Sequence, residues 1–192
     1  NFLAFSGTGR DYESKSMNQT QLKSSQLRYL LDDLERINMI EVRGDKIAFL
    51  SPENKFFCNG GWLEEFVYST VLELKIELKT LQDHAHSAVL ERKYNDRVVK
   101  NEIDVAALVN NKLHIVECKT KKLLKGDGMN TLYKLDSVNE VVGGVRGKAA
   151  LVSYFPLTDA EKLRAYELSV KVFGPEQLKN FKHHLKNWFI ES

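Results

Sequence analysis

Residues 101–120 read NEIDVAALVNNKLHIVECKT, and this stretch carries the strongest fold signal in the chain. It predicts a β-hairpin of two apolar strands, 102–109 and 113–119, joined by a turn at Asn110-Asn111. Asparagine tolerates the positive φ angles that a tight hairpin turn requires. We therefore expect an antiparallel pair of strands at the centre of a sheet.

The end of the second strand carries charged groups. Side chains alternate between the faces of a strand, so Glu117 and Lys119 project from the same face, about 7 Å apart at a rise of roughly 3.3 Å per residue. Asp104 lies on the first strand, where twist or a bulge can bring its carboxylate beside Glu117. Two neighbouring carboxylates repel each other unless a cation lies between them, and such oxygen ligands suit Mg²⁺ or Mn²⁺. With a lysine added, the set is typical of a phosphoryl-transfer site.

A structural ion-pair cluster is the alternative interpretation of the same residues. Glu-x-Lys is common in this chain and recurs at Glu13/Lys15, Glu53/Lys55, Glu73/Lys75, Glu77/Lys79 and Glu91/Lys93. The copy at Glu117 differs because it ends an apolar strand and follows a second acid across a turn. Charges that end a buried strand are costly unless they are paired or used. The residues alone leave both a metal site and a Glu–Lys–Asp ion-pair cluster open.

Four motifs in a fixed order resemble a known family. They are GGWLEEFVY at 60–68, NEIDV at 101–105, ECKT at 117–120 and YKLDSVNEVVGG at 133–144. Together they resemble the PD-(D/E)-x-K nuclease superfamily, which has the restriction-endonuclease-like fold. More closely, they are similar to the nuclease part of CRISPR-associated effectors that join such a nuclease to a CARF domain, a sensor of cyclic oligoadenylate. The resemblance covers residues 58–155, with Ile103 in place of the proline before the first acid.

The resemblance implies a role for each site residue. Asp104 and Glu117, with the backbone carbonyl of Cys118, would hold Mg²⁺ or Mn²⁺. Lys119 would orient the attacking water and offset charge on the phosphorane. Glu64, from the preceding helix, would hold or orient a metal-bound water.

A helix is predicted from the glycines at 59–61 to about Leu81. With Leu63 at the origin of the helical wheel, the apolar residues recur at three and four positions along one face. Glu64 falls at the flank of this face and Glu65 nearly opposite it. An ordinary boundary glutamate explains Glu64 as well as a catalytic acid does.

Lysines after the motif are candidate nucleic-acid contacts. Lys121, Lys122 and Lys125 follow the second strand directly, where a nucleic-acid backbone would pass a phosphodiesterase site, although such a run is usually a solvated loop. Lys134, on a predicted helix at 129–142, matches the family's KLD segment. It is a candidate phosphate contact or, equally, a surface lysine.

Composition and chain order predict an α/β protein. A formal net charge of +2 over 192 residues does not by itself indicate a nucleic-acid binder. Two cysteines, no targeting segment and no apolar run of about 20 residues favour the cytosol over a membrane. We expect a mixed sheet covered by helices on both faces, and adjacent His183 and His184 cannot share a helix face to bind zinc.

Three segments are predicted: a linker at 1–16, a winged-helix-like module at 17–57 and the nuclease domain at 58–192. The module is expected to contain one helix at 17–38 and a hairpin about Arg43-Gly44-Asp45. Within the nuclease domain, further strands are expected at 88–94 and 148–155. Further helices are expected at 159–172 and 175–189.

The resemblance implies an endonuclease of antiviral CRISPR immunity that cuts DNA and possibly RNA. It would act as a homodimer and be activated by cyclic oligoadenylate bound to a sensor domain that is absent from these residues. Two alternatives stay open. One is a catalytically idle nuclease-fold module for DNA binding or assembly, and the other is a restriction or repair nuclease without nucleotide control.

Overall fold

The computed structural model describes residues 12–95, 97–123 and 126–191. The chain divides into two compact units between Trp62 and Leu63. This division lies close to the predicted boundary at 57/58, but the assignment of domains stays a prediction, as does the linker at 1–16, most of which falls outside the described residues. Among the described residues, no helix is long and apolar enough to cross a membrane.

The first unit contains short helices and one hairpin. Its elements are α1 (Gln19–Leu22), α2 (Ser25–Arg36), β1 (Ile40–Arg43), β2 (Lys46–Phe49), α3 (Pro52–Phe56) and a π-helical turn (Phe57–Gly61). The predicted hairpin is present, with β1 antiparallel to β2. The single helix predicted at 17–38 is wrong, because Ser24 caps a second helix by accepting the Leu27 N–H. The winged-helix assignment stays a prediction.

The second unit is built around a five-stranded sheet in the order β3-β4-β5-β6-β7. The strands are β3 (Leu81–Tyr94), β4 (Arg97–Val109), β5 (Lys112–Lys119), β6 (Lys148–Ser153) and β7 (Val170–Phe173). The first three strands are antiparallel neighbours, and β5, β6 and β7 are parallel. The predicted mixed sheet is thus confirmed. Asn110 and Asn111 form the predicted turn with φ angles of 50° and 58°.

Helices cover both faces of this sheet. They are α4 (Trp62–Glu77), α5 (Asp127–Gly143), α6 (Asp159–Glu167), α7 (Pro175–Leu178) and α8 (Phe181–Glu191), with a 3₁₀ turn at Gly144–Arg146. On one face, Leu132 of α5 packs in a buried cluster with Ile115. His114, the neighbour of Ile115 on β5, projects from the opposite face of the sheet. There its ring contacts the rings of Trp188 and Phe189 in α8 edge-on. The α/β class with helices on both faces is therefore confirmed.

Three predicted helix boundaries are wrong. The helix after the glycines ends at Glu77, and Leu81 already belongs to β3. The helix predicted at 159–172 ends at Glu167, because Ser169 adopts a φ of 55° and the next four residues form β7. The helix predicted at 175–189 is two helices, α7 and α8. In the first two cases, apolar residues that belong to a strand also fit a helical spacing.

Candidate active site

Asp104 lies where β4 and β5 separate. The ladder between these strands ends at the pair Val105↔Val116, one residue short of Asp104 and Glu117. At this point the carboxylate of Asp104 replaces a ladder carbonyl, since its Oδ2 accepts the Cys118 N–H at 2.7 Å. Asp104 is 9% exposed. Burial, and then the carboxylate of Glu117, raise the pKa of Asp104 to about 6.

Glu117 and Lys119 lie on the same face of β5, as their spacing predicts. Lys119 Nζ donates to Glu117 Oε1 at 2.5 Å, and their side chains are 33% and 11% exposed respectively. Burial lowers the pKa of Lys119, but the charge of Glu117 raises it, and the net effect is a raised pKa. Lys119 is therefore a protonated ammonium beside two buried acids.

Glu64 belongs to the same electrostatic cluster. It lies in the first turn of α4, half-buried beside a fully buried Leu63. Burial is the main cause that raises the pKa of Glu64 to about 8, followed by the charges of Asp104 and Glu102. Glu65 instead exposes half of its side chain, and its carboxylate lies 3.9 Å from His86 Nδ1. The helical wheel thus distinguished the two glutamates in the way the structure places them.

Glu102 and Lys134 complete the surroundings of the acids. A small pocket beside Glu117 is also lined by Glu102 and by Lys134 of α5. Glu102 was not among the predicted site residues, although it stands two residues before Asp104 in the hairpin motif. Its charge helps to raise the pKa of both Asp104 and Glu64. The fold thus brings Lys134 near the acids, and its role as a phosphate contact stays a prediction.

For the described lysines that follow β5, the structure gives no contact with the acids of the candidate site. Lys121 and Lys122 are exposed and lie directly after the strand. Lys125, the third member of the predicted basic run, lies outside the described residues. The exposure of Lys121 and Lys122 is what a solvated loop would show.

The donor set fits a hard divalent cation. Burial raises the pKa of the Cys118 thiol well above its ordinary value, so the thiol stays protonated and only the backbone carbonyl of Cys118 is available as a ligand. Asp104 and Glu117 supply two carboxylates whose mutual repulsion a cation would relieve. No three His, Cys, Asp or Glu side chains within the described ranges form a ready-made metal cluster, but the predicted set needs only two side chains.

Comparisons with known proteins identify the family of this chain. Residues 51–192 match the family described as "Card1-like, endonuclease domain". Protein VC1899 from Vibrio cholerae is 38% identical, with a TM-score of 0.86 over 93% of this chain and 46% of that one. Can2 from Sulfobacillus thermosulfidooxidans, solved in complex with cyclic tetra-adenylate, is 35% identical, with a TM-score of 0.68 over 83% of this chain and 45% of that one. No curated protein gives a significant match. The chain spans about half the length of the two solved relatives.

Proposed function

The chain belongs to the family of Card1-like endonuclease domains, and on that premise we propose that it hydrolyses phosphodiester bonds of nucleic acid with Mg²⁺ or Mn²⁺ as the cofactor. The main support is the buried pair Asp104 and Glu117 with Lys119 beside it. Burial, and then the charge of Glu117, raise the pKa of Asp104, a cost that a bound cation would offset. DNA is the first candidate substrate and RNA the second.

Each site residue has a separate task in the proposed reaction. Asp104, Glu117 and the carbonyl of Cys118 would hold the cation, which would supply Lewis-acid polarisation of the phosphate and a water of lowered pKa. Lys119 moves its ammonium from Glu117 to the attacking water and then offsets the charge of the phosphorane. Glu64 has a raised pKa. It would accept a hydrogen bond from a water at the site when it is deprotonated and donate one when it is protonated. Lys121, Lys122 and Lys134 contact the phosphates that flank the cleaved bond.

The regulation of this activity is a further part of the proposal. Can2 was solved with cyclic tetra-adenylate, and the chain matches less than half of that protein. We place the chain in type III CRISPR defence in the cytoplasm, as the nuclease of a homodimer that cyclic oligoadenylate activates through a sensor domain outside these residues. Dimers suit this activity because two such sites can cut both strands of a duplex.

A cleavage assay tests the catalytic part. Labelled single-stranded DNA, supercoiled DNA and single-stranded RNA are incubated with Mg²⁺ or Mn²⁺, with and without cyclic tetra-adenylate. We expect cleavage that both Glu117→Ala and Lys119→Ala reduce by at least about 100-fold, the usual loss when one charge-stabilising group is removed. Glu65→Ala is a control for the loss of a nearby acid, because the Glu65 side chain is exposed and lies beside His86.

One observation favours a second candidate function. Glu117 and Lys119 already satisfy each other as an ion pair, which a catalytically idle scaffold for DNA binding or assembly would also show. The two proposals differ in what a divalent cation does. If Mg²⁺ and Mn²⁺ neither bind nor support cleavage by any form of the protein, the nuclease proposal is wrong and the scaffold stands.

A further inference from the structure

The hairpin of β3 and β4 extends far beyond the rest of the sheet. β4 pairs with β3 over its whole length but with β5 only from Val105 to Val109. Residues 88–94 and 97–103 therefore form a two-stranded projection, called the β-arm here, which begins immediately before Asp104. Such a two-stranded ribbon is one of the elements that fit a nucleic-acid groove.

The two faces of the β-arm differ in charge. The cross-strand pairs Leu90↔Asn101 and Arg92↔Val99 share one face, because they are two residues apart on each strand. The intervening pair Glu91↔Lys100 projects from the other face, where the two side chains form an ion pair at 2.5 Å. The opposite face is thus locally neutralised. Arg92 has no such partner, since none of the described residues forms an ion pair with it.

A pocket lies between the Arg92 face of the β-arm and α5. Its polar lining consists of Arg92, Asn101, Lys134 and Ser137, with Leu90 as part of its apolar floor. Two cations and two neutral hydrogen-bonding groups line it, and no carboxylate does. This combination suits a phosphate group, for which cations supply attraction and amide and hydroxyl groups supply hydrogen bonds.

Lys134 connects this pocket to the candidate active site. It lines the arm pocket and also the small pocket beside Glu117. A polyanion bound at the acids would therefore pass Lys134 and reach Asn101 and Arg92. From Asp104 to the Arg92↔Val99 pair the strand runs for five residues, roughly 16 Å at about 3.3 Å per residue. This span equals about five nucleotides of one strand in a duplex at a rise of 3.4 Å each.

We propose that the arm pocket is a phosphate subsite that binds the nucleic-acid backbone about five nucleotides from the cleaved bond, with Arg92 as its main contact and Asn101 and Ser137 as hydrogen-bonding partners. The role of this subsite in cleavage rests on the proposed nuclease function. Its role in binding is separate from it.

Binding without cleavage tests the subsite. Fluorescence anisotropy with labelled DNA is measured in Ca²⁺, which occupies a site for hard cations without supporting rapid cleavage. Arg92→Ala is expected to weaken binding by about 2- to 5-fold, the size of one exposed charge contact. It should also reduce the slope of log affinity against log salt by about 1, whatever the base sequence. Arg92→Lys should restore most of the affinity.

Lys93→Ala is the matched control. Lys93 is adjacent in sequence, is also exposed and carries the same charge, but it projects from the opposite face of the β-arm. It should leave both the affinity and the salt slope close to those of the unmodified chain. A strand of about 4 nucleotides, the lower limit for many single-strand sites, should not distinguish Arg92→Ala from the unmodified chain, whereas one of about 16 should.

The outcomes separate the two proposals. Equal effects of Arg92→Ala and Lys93→Ala, or no DNA binding at all, would overturn the subsite. Binding that depends on Arg92 in a protein that never cleaves would support the subsite and refute the nuclease function. Cleavage that depends on Glu117, combined with a DNA affinity that Arg92→Ala does not change, would support the nuclease function and refute the subsite.

Discussion

The backbone N–H of Cys118 donates a 2.7 Å hydrogen bond to Oδ2 of Asp104. A side-chain carboxylate thus holds the position that a main-chain carbonyl holds elsewhere between β4 and β5. This bond fixes the orientation of the acid without a cation. It leaves Oδ1 without a hydrogen bond from any described residue, so one oxygen is available as a ligand. The candidate site therefore lies at the point where β4 and β5 separate.

Asp104→Asn should abolish cleavage while the fold is retained. The amide oxygen can still accept the Cys118 N–H, but the side chain loses the charge that binds a cation. Because the carboxylate is buried and has a raised pKa, its removal should not lower the melting temperature at neutral pH. We expect at least about a 100-fold loss of activity and loss of the rise in melting temperature that Mg²⁺ produces by binding. Retained cation binding would show that Asp104 is not a ligand.

Lys119→Met should cost stability as well as activity, because it leaves Glu117 as an unpaired buried charge. Breaking a buried pair costs about 3–5 kcal/mol. We expect about 1–3 kcal/mol, since a third of the Lys119 side chain is exposed. Urea denaturation with EDTA measures this loss. The double variant Glu117→Gln/Lys119→Met should recover most of the stability but none of the activity. An unstable double variant would mean that packing, and not charge, accounts for the loss.

Gly128→Ala should destabilise the contact between α5 and α6. A Cβ at Gly128 would overlap Oε1 of Glu161. The other oxygen of Glu161 accepts hydrogen bonds from the N–H and hydroxyl of Thr158 at 2.8 Å and so caps α6. Displacement of this carboxylate should cost about 1 kcal/mol or more, the size of a lost cap. Asn130→Ala, at an exposed position in the same turn, is the control for urea denaturation and should have a much smaller effect.

The hairpin and its acids could be predicted from sequence because the signals are local. Asn110-Asn111 has one favourable turn geometry, and the spacing of Glu117 and Lys119 fixes their shared face. The position of Glu64 followed from helical periodicity alone. For each of these residues, two or three neighbours in sequence determine where the side chain points.

The rest of the fold depends on contacts that local patterns do not encode. The segment Val170–Phe173 has apolar residues that suit either a helix or a strand, and it becomes β7 only because β6 lies beside it. Glu102 was missed because its importance comes from Lys134 and Glu64, which are distant in sequence. The length of β3 was underestimated at its start, because residues 81–87 show little apolar alternation in sequence and are held in the strand by their pairing with β4.

Glu64→Gln should change how stability depends on pH. The pKa of Glu64 is raised from its ordinary value of 4.5 to about 8, and that of Asp104 from 3.8 to about 6. At a pH between the ordinary pKa and the raised pKa of each acid, the folded chain still binds a proton that the unfolded chain has released. Stability without a divalent cation must then fall as pH rises from about 4 to about 8. Melting temperatures in EDTA should show this fall.

The comparison of Glu64→Gln with Glu65→Gln isolates the cause of this pH dependence. Glutamine cannot titrate, so Glu64→Gln should flatten the decline between about pH 5 and pH 8, whereas Glu65→Gln should not. Mg²⁺ favours the deprotonated acids, so its affinity should increase over the same interval and offset the loss of stability. If the Glu64→Gln protein loses stability with pH as steeply as the unmodified chain, Glu64 does not titrate in this cluster. Its place in the site would then have to be given up.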